Sequence, residues 1–144
     1  MRPAKSRGEI SKDDLSALRR FLTADIHGQT ADEWAMVIGE ALTSGGAGNG
    51  ATRVARATVT KRLAAGAMVG PNPAARMGWA ALDRGRAAIF INGEARALPR
   101  EHAFAASFLC GDGSPAAARR LVSTAAMLSL AVDLLRAGVL RWRG

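Results

Sequence analysis

The apolar positions change period along the chain. Leu15, Leu18, Phe21-Leu22 and Ile26 recur at helical spacing. Ser11, with Asp14 three residues on, resembles a capping box in which Asp stands for the usual Glu or Gln. A helix is predicted over 11–26, stopping near His27-Gly28, where Gly offers a left-handed cap. Thr30 with Glu33 makes a second box, and Trp34, Val37-Ile38 and Ala41-Leu42 then form one apolar stripe. That predicts a helix over 31–43, antiparallel to the first because the connecting loop is short. Two helices alone bury too little to be stable, so their stripes must pack on later residues or on a second copy of the chain. Residues 1–10 read as a frayed tail.

Residues 44–52, SGGAGNGAT, hold four glycines and read as a linker. A phosphate-cradling loop fails there, since no G-K-[ST] follows and no apolar strand precedes it. A short basic helix is predicted over 53–65, then an irregular turn at Gly70-Pro71-Asn72-Pro73. Residues 76–82 suit a strand, and Asp83-Arg84-Gly85 a turn. The apolar run Ala87-Ala88-Ile89-Phe90-Ile91 is broken by Asn92-Gly93 and followed by alternation to Leu98. Asn-Gly suits a type I′ turn, whose two central residues both need positive φ. Three short strands result, with Trp79 and Phe90 as candidates for the buried face.

Beyond Pro99, helices are predicted over 100–109, from Pro115 to about Val122 with Ser114 as N-cap, and over 125–137 with Ser123 or Thr124 as cap. Gly138 closes the last, and 139–143 read as a final strand. The predicted fold is mainly α with a small antiparallel sheet: a helical segment (1–44), a Gly-rich linker (45–52) and a winged-helix-like domain (53–144).

Charge changes the picture. Residues 1–50 carry a net −1 and residues 51–144 a net +9. A basic lobe suits an anionic partner such as nucleic acid, a ribosomal surface or an acidic protein. Arg53, Arg56, Lys61, Arg62, Arg119 and Arg120 are the candidate contacts. An Arg-rich composition spread over an ordinary solvated surface would give the same totals. The helix that would read base edges, AAMLSLAVDLLRA, is apolar nearly all round and carries Asp133, so it reads as core and specific DNA reading is disfavoured. Non-specific contact remains open.

No catalytic constellation emerges. His27 and His102 begin no metal-ligand spacing, and Glu94 and Glu101 form no paired acid/base site. The one cysteine, Cys110, excludes an internal disulfide and a cysteine-cluster metal site, and is expected to be buried. The basic N-terminus has no apolar region behind it, unlike a signal peptide. The stretch 121–140 is too polar to span a bilayer. A cytoplasmic location is the expectation.

The residues resemble a known family, the bacterial ribosomal oxygenases: cupin (JmjC-type) arginine hydroxylases acting on a large-subunit ribosomal protein. The pattern W-x-x-x-x-G-x-x-L-T, from Trp34 and Gly39 to Leu42-Thr43, looks like the end of the family's helical dimerisation segment. Leu63-Ala64-Ala65-Gly66, residues 72–82 and Phe90-Ile91-Asn92-Gly93-Glu94 look like the start of its C-terminal winged-helix domain. Asp133-Leu134-Leu135, Gly138, Leu140 and Trp142 are similar to its close. The glycine-rich stretch departs from the family's Thr-Glu-Pro-type continuation after Leu42-Thr43.

The resemblance implies a catalytic double-stranded β-helix before residue 1, holding Fe(II) through an H-x-D…H triad and 2-oxoglutarate through a basic residue. No catalytic residue, metal or cofactor is therefore expected in this chain. The expected role is non-catalytic: homodimer assembly through Leu18, Phe21, Leu22, Trp34, Val37 and Ile38, and support of substrate-protein docking, with a ribosomal protein or ribosomal RNA as possible contact. The same stripes could instead pack within one chain. The alternative function is a small basic winged-helix protein binding nucleic acid non-specifically.

Overall fold

The computed structural model describes residues 8–10, 12, 15, 16, 31–48 and 53–143. The predicted helix over 11–26 falls largely outside them, with Leu18, Phe21, Leu22, the first capping box, Thr30 of the second and His27. Among the described residues the chain is mainly α with small antiparallel sheets, as the periodicity predicts. The helices are α1 (Ala31–Thr43), α2 (Arg56–Ala64), α3 (Phe104–Leu109), α4 (Pro115–Val122) and α5 (Ala125–Arg136). The strands are β1 (Met68–Pro71), β2 (Met77–Ala81), β3 (Ala87–Ile91), β4 (Glu94–Leu98) and β5 (Leu140–Arg143). A 3-10 turn at Arg100–His102 precedes α3.

Strands β2, β3 and β4 form a three-stranded antiparallel sheet in sequence order. The β3–β4 connection is the two-residue turn that Asn-Gly predicts, with φ 50° at Asn92 and 90° at Gly93. Asp83-Arg84-Gly85 turns β2 into β3, with positive φ at Arg84 and Gly85.

Every residue of β3 is buried, so this sheet is covered on both faces. The pairings Gly78–Phe90 and Trp79–Ile89 set Trp79 and Phe90 on opposite faces, correcting the single buried face read from the sequence. Ala80, Ala88 and Phe90 meet Leu15, Trp34, Ala35 and Ile38 on one side. Ile89, Ile91 and Leu98 meet the larger core of α2 to α5 on the other, where Phe108, Leu109 and Leu121 are fully buried.

Three further predictions are corrected. The first half of the stretch read as an irregular turn, Gly70-Pro71, ends strand β1, which pairs with β5 from Met68–Arg143 to Pro71–Leu140. Pro71 is tolerated because it ends an edge strand, where no ladder donor is needed. Residues 8–10 are not a frayed tail. The Ile10 N–H donates to the Trp79 carbonyl (2.8 Å) and the Trp79 N–H to that of Gly8 (2.8 Å), which occupies the free edge of β2. At the start of α5, Thr124 is the N-cap but makes no side-chain cap. The Ser123 and Thr124 hydroxyls donate back to the Arg120 carbonyl (2.8 and 3.2 Å). Ser114 caps α4 as predicted, accepting from the Ala117 N–H at 3.2 Å.

Candidate functional site

Of the predicted pairing residues, Trp34, Val37 and Ile38 lie on α1, which is tied to the sheet at both ends. At its start the Asp32 carboxylate accepts from the Arg86 guanidinium (2.5 Å) and from the Asp83 N–H (3.1 Å). At its end the buried Thr43 hydroxyl donates to the Gly39 carbonyl (2.8 Å) and accepts from the Gly93 N–H (3.0 Å). The Arg76 guanidinium donates to the Ser44 carbonyl (3.0 Å), and the Arg76 N–H donates to Asn92 Oδ1 (2.8 Å). Between these ties Gly39 sits on the Phe90 ring. A Cβ at Gly39 would lie 2.2 Å from ring carbon Cζ.

The glycine-rich stretch begins against this same corner. A Cβ on Gly46 would meet Asn92 Oδ1 at 2.1 Å, and one on Gly48 the Ala137 carbonyl at 2.2 Å. The Ala47 N–H donates to the Ala74 carbonyl (2.9 Å). Gly46 and Gly48 therefore cross packed groups where a side chain would collide.

Of the predicted pairing residues that are described, Trp34 (3% exposed) and Ile38 (5%) are spent on the sheet of their own chain. Val37 points outward at 48% exposure, joined by Leu42 at 53%, which the periodicity had placed on the inner stripe. A cavity of about 140 Å³ lies between Lys12, Leu15 and Ser16 and the start of α1, with Trp34 in its wall. The Trp34 indole N–H, buried, has no hydrogen-bond partner among the described residues.

The six predicted anionic contacts are all exposed. Arg53 precedes α2, which carries Arg56, Lys61 and Arg62, while α4 carries Arg119 and Arg120 and packs beside α2. Arg56 donates to the Ser129 hydroxyl (2.8 Å). The Arg62 and Arg120 guanidinium groups stack on Trp142 and Phe104, each 4.0 Å from the ring centre. The sequence reading did not single out Arg141 and Arg143, whose strand lies against β1 next to the end of α2.

Helix α5 turns seven residues into the core, Met127, Leu128, Leu130, Ala131, Val132, Leu134 and Leu135, and exposes Asp133 and Arg136. It offers no row of polar side chains to a nucleic-acid groove. Cys110 is buried as expected, and burial pushes its thiol up to about 12. At neutral pH it is a protonated, inert thiol. Among the described residues no three His, Cys, Asp or Glu side chains gather to hold a metal ion. The described residues thus offer no donor set for Fe(II).

The fold defines an α+β unit: a helix laid on one face of a three-stranded hairpin sheet, with a four-helix layer and a two-stranded ribbon on the other. The sequence matches no family model and no curated protein. Among solved structures, that of YcfD, a ribosomal oxygenase from Escherichia coli, in complex with cobalt and succinic acid matches all of this chain with a TM-score of 0.56 at 13% identity. A second YcfD structure, with cobalt and 2-oxoglutarate, matches with a TM-score of 0.57 at 14% identity. This chain spans 39% of the length of each. At such identity the likeness is one of fold.

Proposed function

We propose that this chain serves as the assembly and docking portion of a ribosomal-oxygenase-like protein: a helical dimerisation segment with a winged-helix-like domain that helps seat a substrate protein. Fe(II) and 2-oxoglutarate chemistry would belong to a separate catalytic domain. The observation that supports this best is the match of the whole chain to 39% of YcfD. The sequence motifs resembling the oxygenase family add to it, because they sit at the α1–hairpin junction. The surface proposed for pairing is the outer side of α1, Val37 and Leu42, together with Leu18, Phe21 and Leu22. Trp34 and Ile38 support pairing by fixing α1 on the sheet.

The test is sedimentation velocity at micromolar concentration. A dimer is expected, and V37K/L42K should shift it to monomer without lowering the melting temperature, since both side chains are half exposed. A strictly monomeric chain overturns the pairing. Incubation of this chain alone with Fe(II) and 2-oxoglutarate should give no turnover, and iron-dependent turnover would overturn the non-catalytic role.

A further inference from the structure

The fold sorts charge in a way that composition does not. Helices α2 and α4 and strand β5 contain no carboxylate. They contribute seven cations, all exposed: Arg56, Lys61 and Arg62 on α2, Arg119 and Arg120 on α4, and Arg141 and Arg143 on β5. The five carboxylates of residues 51–144 lie on other elements: Asp83, Glu94, Glu101, Asp112 and Asp133. None of the seven cations forms an ion pair among the described residues, where the ion pair present is Arg86–Asp32. A bias toward arginine raises its number everywhere. It does not clear carboxylates from three neighbouring elements.

Helices α2 and α4 meet at Gly66, which follows α2 with φ 91°. An Arg119 guanidinium nitrogen lies 3.2 Å from the position a Gly66 Cβ would take. The Ala67 N–H donates to the Arg62 carbonyl (3.0 Å), which turns the chain into β1 beside β5. Arg62 reaches across to stack on Trp142 of β5, 4.0 Å from the ring centre. A guanidinium stacked by its face keeps its edge N–H groups for an anion and loses less freedom on binding.

We infer that the surface around Gly66 binds the phosphate backbone of a nucleic acid strand without reading its sequence. Six of the seven cations are arginine, whose forked donors match phosphate oxygens. The exposed large apolar side chains, Val37 and Leu42, are on α1, so this surface carries none to insert into a bilayer. This binding does not depend on pairing.

The experiment is fluorescence anisotropy of the full chain with a labelled single-stranded RNA, the same sequence as DNA, and the DNA duplex. Affinity should fall steeply with salt. With three to four phosphates neutralised, log K against log salt should have a slope of about −2 to −3 on single strands. R62E/R119E should weaken binding by about tenfold or more and flatten the slope, while R84E/R96E, with the same change of net charge, should leave it within about twofold. Because Arg62 packs on Trp142, K61E/R119E, which spares that contact, supplies a second variant at the same corner, and it should lose affinity likewise. RNA-over-DNA preference, or its absence, identifies which strand is the ligand. The inference is overturned if no strand binds at low salt, if all three double variants weaken binding equally, or if vesicles of phosphatidylcholine with phosphatidylserine bind more tightly than every nucleic acid.

Discussion

Replacing Gly39 by alanine tests the helix-on-hairpin junction, because two effects of opposite sign meet there. Gly39 lies in the interior of α1 and is not among the glycines with positive φ. Helix propensity alone therefore predicts that alanine stabilises by about 1 kcal/mol. Packing predicts the reverse. The added methyl would sit 2.2, 2.3 and 2.4 Å from three carbons of the Phe90 ring, which has no exposed surface. The ring cannot retreat, because β3 is buried on both faces, and α1 cannot lift, because Asp32 and Thr43 hold its ends.

Overpacking of this kind costs about 1–3 kcal/mol, and contacts this short belong at the upper end. The expected net loss for Gly39→Ala is about 2 kcal/mol. That corresponds to a fall in melting temperature of roughly 6–8 °C for a chain of this size. Thermal melts followed by circular dichroism read it directly. The double variant G39A/F90L separates the clash from other causes. Leucine removes the ring, so G39A should be neutral or stabilising in that background, a coupling of about 2–3 kcal/mol. If G39A alone raises the melting temperature, the junction is looser than described and the packing argument is wrong.

Two more expectations follow from buried groups. Thr43→Val keeps the shape but leaves the Gly93 N–H without its acceptor, so it should cost about 1–2 kcal/mol and speed hydrogen exchange at Gly93, while Thr43→Ser should keep most of the stability. Cys110 should resist thiol reagents at pH 8 in the folded chain and react once the chain is unfolded. Its thiol titrates at 9.0 unfolded and is pushed up to about 12 by burial when folded. The unfolded chain thus loses this proton first as pH rises. Stability from this group is complete below pH 9.0 and declines toward pH 12, by at most about 1.4 kcal/mol per pH unit. Cys110→Ala should remove that part of the alkaline decline. An unchanged slope would refute the burial.

How much of this was legible in the sequence depended on whether the signal was local. The Asn92-Gly93 turn and the Ser114-Pro115 start of α4 rest on short-range chemistry, and the structure shows both, whereas the predicted α1 stripe is buried only at Trp34 and Ile38, with Val37, Ala41 and Leu42 exposed. Missed features are those in which one segment answers another. Strand β1 has only Met68 and Val69 as apolar residues before Gly70-Pro71, so nothing marks it until β5 lies beside it. Residues 8–10 join β2 through backbone groups, which leave no trace in side-chain pattern. Periodicity showed that α1 buries a face without showing what covers it. The signal for a sheet covered on both sides was present, since five apolar residues in a row mark a strand with no solvent face.

The motifs behind the oxygenase resemblance bear on function differently once the junction is known. In the W-x-x-x-x-G-x-x-L-T pattern, Trp34 fills the core beneath α1, Gly39 admits the Phe90 ring, and Thr43 accepts from Gly93. In Phe90-Ile91-Asn92-Gly93-Glu94, the ring and the turn are the other halves of the same contacts, while Ile91 faces the opposite core and Glu94 faces solvent. Leu42 is the exception in the first pattern, since it is exposed and serves no contact that holds this junction. Two motifs that look separate in sequence are therefore two sides of one interlock, and packing within one chain is enough to account for every residue in them apart from Leu42 and the solvent-facing Glu94. They are strong markers of a fold and weak markers of chemistry. The side chains that this interlock does not use are Val37 and Leu42, on the outer side of α1, and the cations of α2 and α4 around Gly66. Substitutions there test pairing and nucleic-acid binding without touching the contacts between α1 and the hairpin.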